Sequence, residues 1–454
     1  MPAQLALFAS FGLIAWLYRQ DARERPVGSK ALWIPGLLLM IISTRPVVYW
    51  LDIYSGSRAM ARQSDVEGSS IDLFVLGALI IAAVVVLRLR RLNWGVFAAS
   101  NRSILVMYLF LLASLFWADY PFAVVKRVVK DFSFVLFALM LLTEQDPAYA
   151  IRKVFLRCSY IVFTLSVITI KYFPGIGTRV TGAGDNQFIG LTTQKNMLGE
   201  VVFTYALILL WDFITLIREE HPSWRDPRVL ARALMLYFGI WLLNVSASKT
   251  SVLCLIIGVV VYWVTGRLTR RPNLKPKLAG LIVLVLALYG LNSTLHLDEL
   301  VVHAVGKNMT FTGRTLIWTE VMAQPVDRIT GMGFMMFWDS QYGRDTWDEM
   351  GTRVSTAHNG YLEMLLDGGI IGVCLLAVML LARGYVIVNK MAEGDFWGRL
   401  GFVYWVLALF QDLSESTFFR FSILWFLLIL SMLKLPREAL PPRDSLEPDA
   451  LQPA

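Results

Sequence analysis

The chain has 454 residues, 56% of them apolar and 17% charged, with a mean hydropathy of +0.58 and a formal net charge of +8. A soluble domain carries about 25% charged residues. So many long uncharged runs would leave no polar surface for water, which excludes a soluble enzyme with a large core. No basic segment is interleaved with aromatics, so nucleic acid is not an expected partner, and the positive charge reads as loop charge that sets membrane orientation.

Apolar runs near the roughly 17–25 residues of a bilayer crossing follow one another along the chain. They are Ala3–Tyr18, Ala31–Trp50, Ile71–Leu87, Ile104–Trp117, Ala123–Leu142, Cys158–Tyr172, Leu198–Ile217, Leu230–Val245, Ser251–Val264, Leu278–Leu291, Gly369–Val388, Leu400–Leu413 and Phe418–Leu433. The expected fold class is an all-α polytopic membrane protein with about 12–13 transmembrane helices and one large outer loop containing short helices. The first run lacks a positive leading region and a small-residue cleavage site, so it is expected to be retained as a helix. The fifth is interrupted by Lys126, Arg127, Lys130 and Asp131, and its first half is expected along the interface.

Alternate loops carry most of the 42 lysines and arginines, beginning with "RQDARERPVGSK" and ending with the C-terminal tail. By the positive-inside rule these loops are cytoplasmic. The N-terminus is then outside and the C-terminus inside. Four regions follow: an N-terminal bundle of about ten spans over 1–295, an outer loop over 296–368, C-terminal spans over 369–434, and a Pro-rich, charged tail over 435–454 expected to be disordered.

The outer loop is the one long extramembrane stretch, and loops of that length are usually functional. It holds "TFTGRTLIWTEVMAQP", in which Thr312 suits an N-cap and Pro325 a stop. Ile317, Trp318, Val321 and Met322 fall at helical spacing. Arg314 lies in the first turn, where a cation opposes the helix dipole. It either pairs with a neighbour or helps the free N–H groups hold a phosphate. Further on, "STAHNGYLEMLLDGGIIG" places His358 at the mouth of an apolar helix that Ser355 or Thr356 could cap. In that first turn the dipole favours neutral imidazole, as a general base requires. A hydrogen-bonded structural histidine is the other reading. Asn359 and Glu363 share a face of that helix, and Glu363 would either orient His358 or Asn359 or merely solvate the helix.

Two lysines join the same side. Lys195, with Asn196, precedes the seventh span, and Lys249 sits in the turn between the eighth and ninth. Such residues at span ends are functional candidates or snorkel to the interface. Together with Arg314 and His358 they suit an anionic, lipid-linked substrate held without a metal. Cys158, Cys254 and Cys374 lie in apolar runs with no ligand spacing, and the histidines do not cluster with carboxylates, so neither a metal site nor a disulfide is expected. The three cysteines are expected to pack in the interior.

"TGRTLIWTEVM", "ITGMGF" and "AHNGYLEMLLDGGIIGV", in that order in one outer loop, resemble the O-antigen ligase and polymerase family of bacterial surface-polysaccharide assembly. Upstream, "QKNMLGE" and "SASKTS" extend the match, and the N-terminal stretch from Arg19 to Trp50 looks like the exopolysaccharide-production branch. The resemblance implies an inverting, metal-independent glycosyltransferase without a cofactor on the periplasmic face of the inner membrane. Its donor would be a glycan on undecaprenyl diphosphate, and its partners a glycan acceptor, membrane lipid and the polysaccharide export machinery. By resemblance, Arg314 would hold the diphosphate and His358 would act as base. Lys249, Lys195, Asn359, Trp318 and Glu363 would contribute to substrate binding. Many relatives carry Ser-Arg at the Ser248–Lys249 position, and lysine keeps that charge without the bidentate fork. Trp318, Phe334, Phe337, Trp338 and Trp347 would offer faces to sugars or else pack the loop. Polymerisation of lipid-linked repeats is the leading activity, ligation onto a lipid A-core or another acceptor the alternative. A flippase is the competing class, against which stand the absence of an internal repeat and the clustering of polar candidates in loops.

Overall fold

The computed structural model describes residues 2–22, 28–55, 69–180, 186–269, 314–351 and 354–441. The tenth expected span, Leu278–Leu291, the proposed cap Thr312 and residues 442–454 of the tail lie outside the described residues. The fold is all-α, with one two-stranded hairpin that pairs Thr178–Val180 (β1) with Asn186–Phe188 (β2) among the described residues.

The helices in chain order are α1 (Ala3–Ala22), α2 (Trp33–Ile42), α3 (Val47–Ser55), α4 (Ser70–Leu89), α5 (Trp94–Ser100), α6 (Arg102–Ala113), α7 (Pro121–Leu142), α8 (Pro147–Tyr172), α9 (Lys195–Glu220), α10 (Pro227–Ser246), α11 (Lys249–Leu268), α12 (Arg314–Ala323), α13 (Gln341–Met350), α14 (Gly360–Ala392), α15 (Gly398–Gln411) and α16 (Ile423–Met432). Among the described residues six are long and apolar enough to cross a membrane: α4, α8, α9, α10, α11 and α14. The protein is a multi-pass, all-α membrane protein. α5 and the α6 segment meet at 92° and together make a broken seventh candidate.

Several expected spans are shorter or broken for visible reasons. The second run divides at Thr44-Arg45-Pro46, where Arg45 turns inward and donates to the carbonyl of Thr192 at 2.9 Å. The last run yields α16, ten residues long and buried at every position. A helix apolar all round belongs in a core, and ten residues rise only about 15 Å. The fifth run forms one unbroken helix, α7, because protein groups meet its charges. Asp131 accepts from Tyr108 at 2.5 Å and from the Trp425 indole at 3.0 Å, and Arg127 pairs with Asp339.

α8 and α9 form the inner layer, while α4 and α11 show most of their surface outward. Asp212 of α9 ties three helices at one end of this bundle, accepting from Arg152 of α8 and from Arg232 of α10, each at 2.5 Å. Lys195 begins α9 at the other end, about 25 Å away at the helical rise. Cys158 and Cys254 are buried as expected, but Cys374 is exposed on the outward face of α14.

Candidate active site

The site end is organised by a kink. α14 bends at Gly369 (φ 60°, ψ −161°), which is also where the outer loop was expected to give way to a span. A kink frees backbone groups that must find new partners. The segment 328–333 supplies them: Met332 and Gly333 N–H donate to the carbonyls of Leu366 and Asp367 at 2.8 and 3.0 Å. In return, Ile370 and Ile371 N–H donate to Arg328 and Ile329. This close approach demands glycine on both sides. A Cβ at Gly331 (φ +67°) would lie 2.6 Å from the Asp367 backbone, and one at Gly369 would lie 2.2 Å from the Ile329 carbonyl. The Gly-x-Gly motif is therefore a backbone seam that fixes the loop to α14.

His358 does not occupy the first turn of a helix. α14 begins at Gly360, and its cap is Asn359, whose side chain accepts from Tyr361 and Leu362 N–H at 3.1 and 3.0 Å. Neither Ser355 nor Thr356 caps it. Asn359 thus has a structural task of the kind that contributes about 1 kcal/mol. His358 precedes the cap in the left-handed conformation (φ 50°), which is sterically costly for a side chain with a Cβ. Hydrogen bonds on both flanks hold it there. Ala357 N–H donates to Glu363 at 2.5 Å, and Ala357 C=O accepts from the Trp318 indole at 2.7 Å. Gly360 N–H donates to the carbonyls of Asp412 and Glu415.

The side chain that joins the expected residues is one the sequence reading missed, Glu415, in the turn between α15 and α16. Its Oε1 accepts from Arg314 at 2.7 Å and from Asn196 at 2.9 Å, and its Oε2 lies 3.0 Å from His358 Nδ1. α12, the turn before α14, α9 and the 412–420 turn therefore meet at one carboxylate. The three side chains Arg314, Glu415 and His358 are 14%, 17% and 32% exposed, a sheltered but open site. The signal was in the sequence: "DLSESTFFR" places Asp412, Glu415 and Arg420 in a short turn between two apolar runs, and ionisable residues at span ends are functional candidates.

Glu363 does not reach His358 or Asn359. It is buried and accepts from Ala357 N–H, from the Trp338 indole at 3.2 Å and from Arg420 at 2.6 Å. Its place is beneath the histidine turn, fastening three segments. Phe334, Phe337 and Trp338 are buried too, so they pack the loop rather than face a sugar. Trp318 is half-buried with its N–H engaged, and Trp347 donates to the Val354 carbonyl at 2.6 Å. Lys195 and Lys249 begin α9 and α11 side by side. Gly199, one turn below Lys195, abuts Ser251 and Ser248 so closely that a Cβ there would meet the Ser251 hydroxyl at 2.3 Å. Neither lysine forms a hydrogen bond or ion pair among the described residues, and Lys249 is exposed.

Residues 233–377 match the family described as O-antigen ligase. That stretch is similar to the O-antigen ligase family. It contains Lys249, Arg314, Trp318, His358, Asn359 and Glu363, and it ends before Glu415. The chain is also similar to the exopolysaccharide production protein ExoQ of Rhizobium meliloti (strain 1021), with 24% identity over 312 residues, covering 65% of this chain and 67% of that protein. The motifs of the outer loop thus fall within the matched residues. The chain is a multi-pass membrane protein whose similarities are to glycan-processing membrane proteins.

Proposed function

We propose that this protein is an inverting glycosyltransferase at the periplasmic face of the bacterial inner membrane, which polymerises undecaprenyl-diphosphate-linked repeat units into an exopolysaccharide or O-antigen. The N-terminus is periplasmic and the C-terminus cytoplasmic in this reading. The observation that supports it is the convergence of Arg314 and His358 on Glu415. A carboxylate on Nδ1 selects the tautomer whose proton is on Nδ1, which leaves Nε2 as the acceptor. Nε2 has no hydrogen-bond partner among the described residues. His358 Nε2 then takes the proton of the acceptor hydroxyl as that oxygen bonds to the anomeric carbon. The bond from that carbon to the diphosphate oxygen breaks on the opposite face, and its electron pair leaves with the diphosphate.

Arg314 stabilises that leaving charge. One nitrogen of its guanidinium is on Glu415, and the fork has further donors for phosphate oxygens. Lys195 and Lys249 at the adjoining helix starts add positive potential where charge develops. The polyprenyl tail lies along the outward apolar helices. The name of the similar Rhizobium protein favours exopolysaccharide as the product class.

A deletion strain complemented with variants tests this reading. Loss of the gene should leave single lipid-linked repeats at the periplasmic face, and His358→Ala or Arg314→Ala protein present at normal levels should fail to restore long chains. Finished chains stranded on undecaprenyl diphosphate would instead identify a ligase, and repeats trapped in the cytoplasmic leaflet a flippase. Wild-type polymer from either variant would sink the catalytic assignment.

A further inference from the structure

At the end of the bundle away from Glu415, α1, α2 and α8 enclose a groove of about 170 Å³. Its walls are apolar, with Leu37, Met40 and Ile161 among them, and its rim carries Lys30, Lys153 and Arg157. The floor is tight, with Cys158 Sγ 3.5 Å from the Gly36 carbonyl. The room above it exists because residue 36 has no side chain: a Cβ there would meet nothing nearer than Val154 at 3.9 Å. The groove opens to the surface beside Trp33, which is 60% exposed, the placement of an interfacial anchor.

Among the described residues the charges around this groove do not cancel. Arg157 is paired with Asp21 at 2.6 Å, and Glu144 is paired with Arg90 and also accepts from the Ser29 hydroxyl. Lys153 donates to the Tyr149 hydroxyl at 3.1 Å, a neutral partner. Lys30 is exposed, and neither lysine forms an ion pair among the described residues. An apolar slot with two ammonium groups at its rim, neither in an ion pair among the described residues, matches a molecule with an acyl chain and a phosphate. We propose that this groove holds one anionic phospholipid, with its phosphate between Lys30 and Lys153 and one acyl chain along α2 and α8. Basic pockets between membrane helices recognise anionic headgroups in this way. The site is separate from the transfer chemistry and does not depend on it.

Native mass spectrometry of the full-length protein, with phosphatidylglycerol and phosphatidylcholine supplied in equal amounts, tests the proposal. The wild type should retain phosphatidylglycerol in preference to phosphatidylcholine. A Lys30→Ala/Lys153→Ala double variant should bind it about 30-fold more weakly, at roughly fivefold per lysine. Gly36→Leu, which fills the slot and leaves both charges, should lose it as well, and this variant decides the matter if the double variant is unstable. Equal retention of the two lipids would overturn the proposal. So would undiminished phosphatidylglycerol binding by Gly36→Leu, or displacement of the phospholipid by undecaprenyl phosphate at equal concentration.

Discussion

Two carboxylates, each held by two basic side chains, mark opposite ends of this bundle and serve opposite purposes. Asp212 is fully buried, and Arg152 and Arg232 occupy both of its oxygens. Glu415 binds Arg314 and His358 with comparable directness, yet all three side chains keep some exposure. At Asp212 the charges satisfy one another around a carboxylate with no exposure, although Arg152 keeps 23% of its side chain exposed. At Glu415 the carboxylate fixes the direction of two groups that each retain a functional atom, the free edge of a guanidinium and Nε2 of an imidazole. A buried carboxylate between two cations is therefore no sign of a site by itself. What distinguishes a site is what its members have left over.

The sharpest test of that distinction is His358→Ala. Removing a general base costs about 100- to 10,000-fold in rate, and the variant should keep the wild-type melting temperature, since the imidazole fills no buried cavity. Transfer by membrane vesicles from a lipid-linked donor gives the rate, and a fluorescence melt gives the stability. Asp212→Ala should behave in the reverse sense. It strands two arginines, one of them 2% exposed, and breaking such a buried pair destabilises by about 3–5 kcal/mol. Less protein should reach the membrane, while the rate per folded molecule stays close to wild type. A stable but inactive Asp212→Ala protein would erase the contrast between the two ends.

Glu415→Gln refines the comparison at intermediate cost. The amide keeps the size, but its single oxygen can replace only one of the two carboxylate oxygens that meet Arg314 and His358, and it loses the charge that stabilises imidazolium. Hydrogen bonds to charged groups contribute about 1.5–3 kcal/mol, so kcat should fall about ten- to a hundredfold with KM changed much less. Glu415→Asp, which shortens the reach but keeps the charge, should recover part of the loss. If KM rose instead and kcat held, Glu415 would be organising donor binding and not the base.

These contrasts also explain what was legible in the sequence. Arg314 and His358 stand out because they are polar residues on an otherwise apolar background, and their motifs carry a family's order. Glu415 is equally polar but sits in a turn of ordinary appearance, and only the fold brings it from the far end of the chain to the histidine. Helix direction misled in two places. Starting α14 at Ser355 or Thr356 put His358 in a dipole field and Glu363 on the face of Asn359. The actual cap at Asn359 moves His358 out of the helix and leaves Glu363 pointing under the turn. Length of apolar runs likewise reported burial and not crossing: α16 is apolar because it is surrounded by protein. The turn in "ITGMGF" was legible as part of the motif, but its pairing with the kink at Gly369 was not, because backbone-to-backbone contact has no signature in side-chain pattern.

The smallest expected effect lies at the outer margin of that seam. Asp327 shapes the turn that delivers Gly331, accepting from Ile329 N–H at 2.7 Å and from Thr330 N–H at 3.3 Å. These N–H groups favour the charged carboxylate and hold it below the usual range. A carboxyl depressed in the folded state lends stability that is present above its unfolded value, about 3.9, and is lost as the pH falls through the folded value. Asp327→Asn should therefore lower the melting temperature slightly at neutral pH, and the gap to wild type should close as the solution is acidified below about pH 4. Because the side chain is fully exposed and the turn has other anchors, the transfer rate at neutral pH should fall little. A gap that instead widened in acid would mean that Asp327 acts through a partner other than these backbone groups. The Gly331 seam, and with it the histidine turn, would then owe its geometry to the glycines alone.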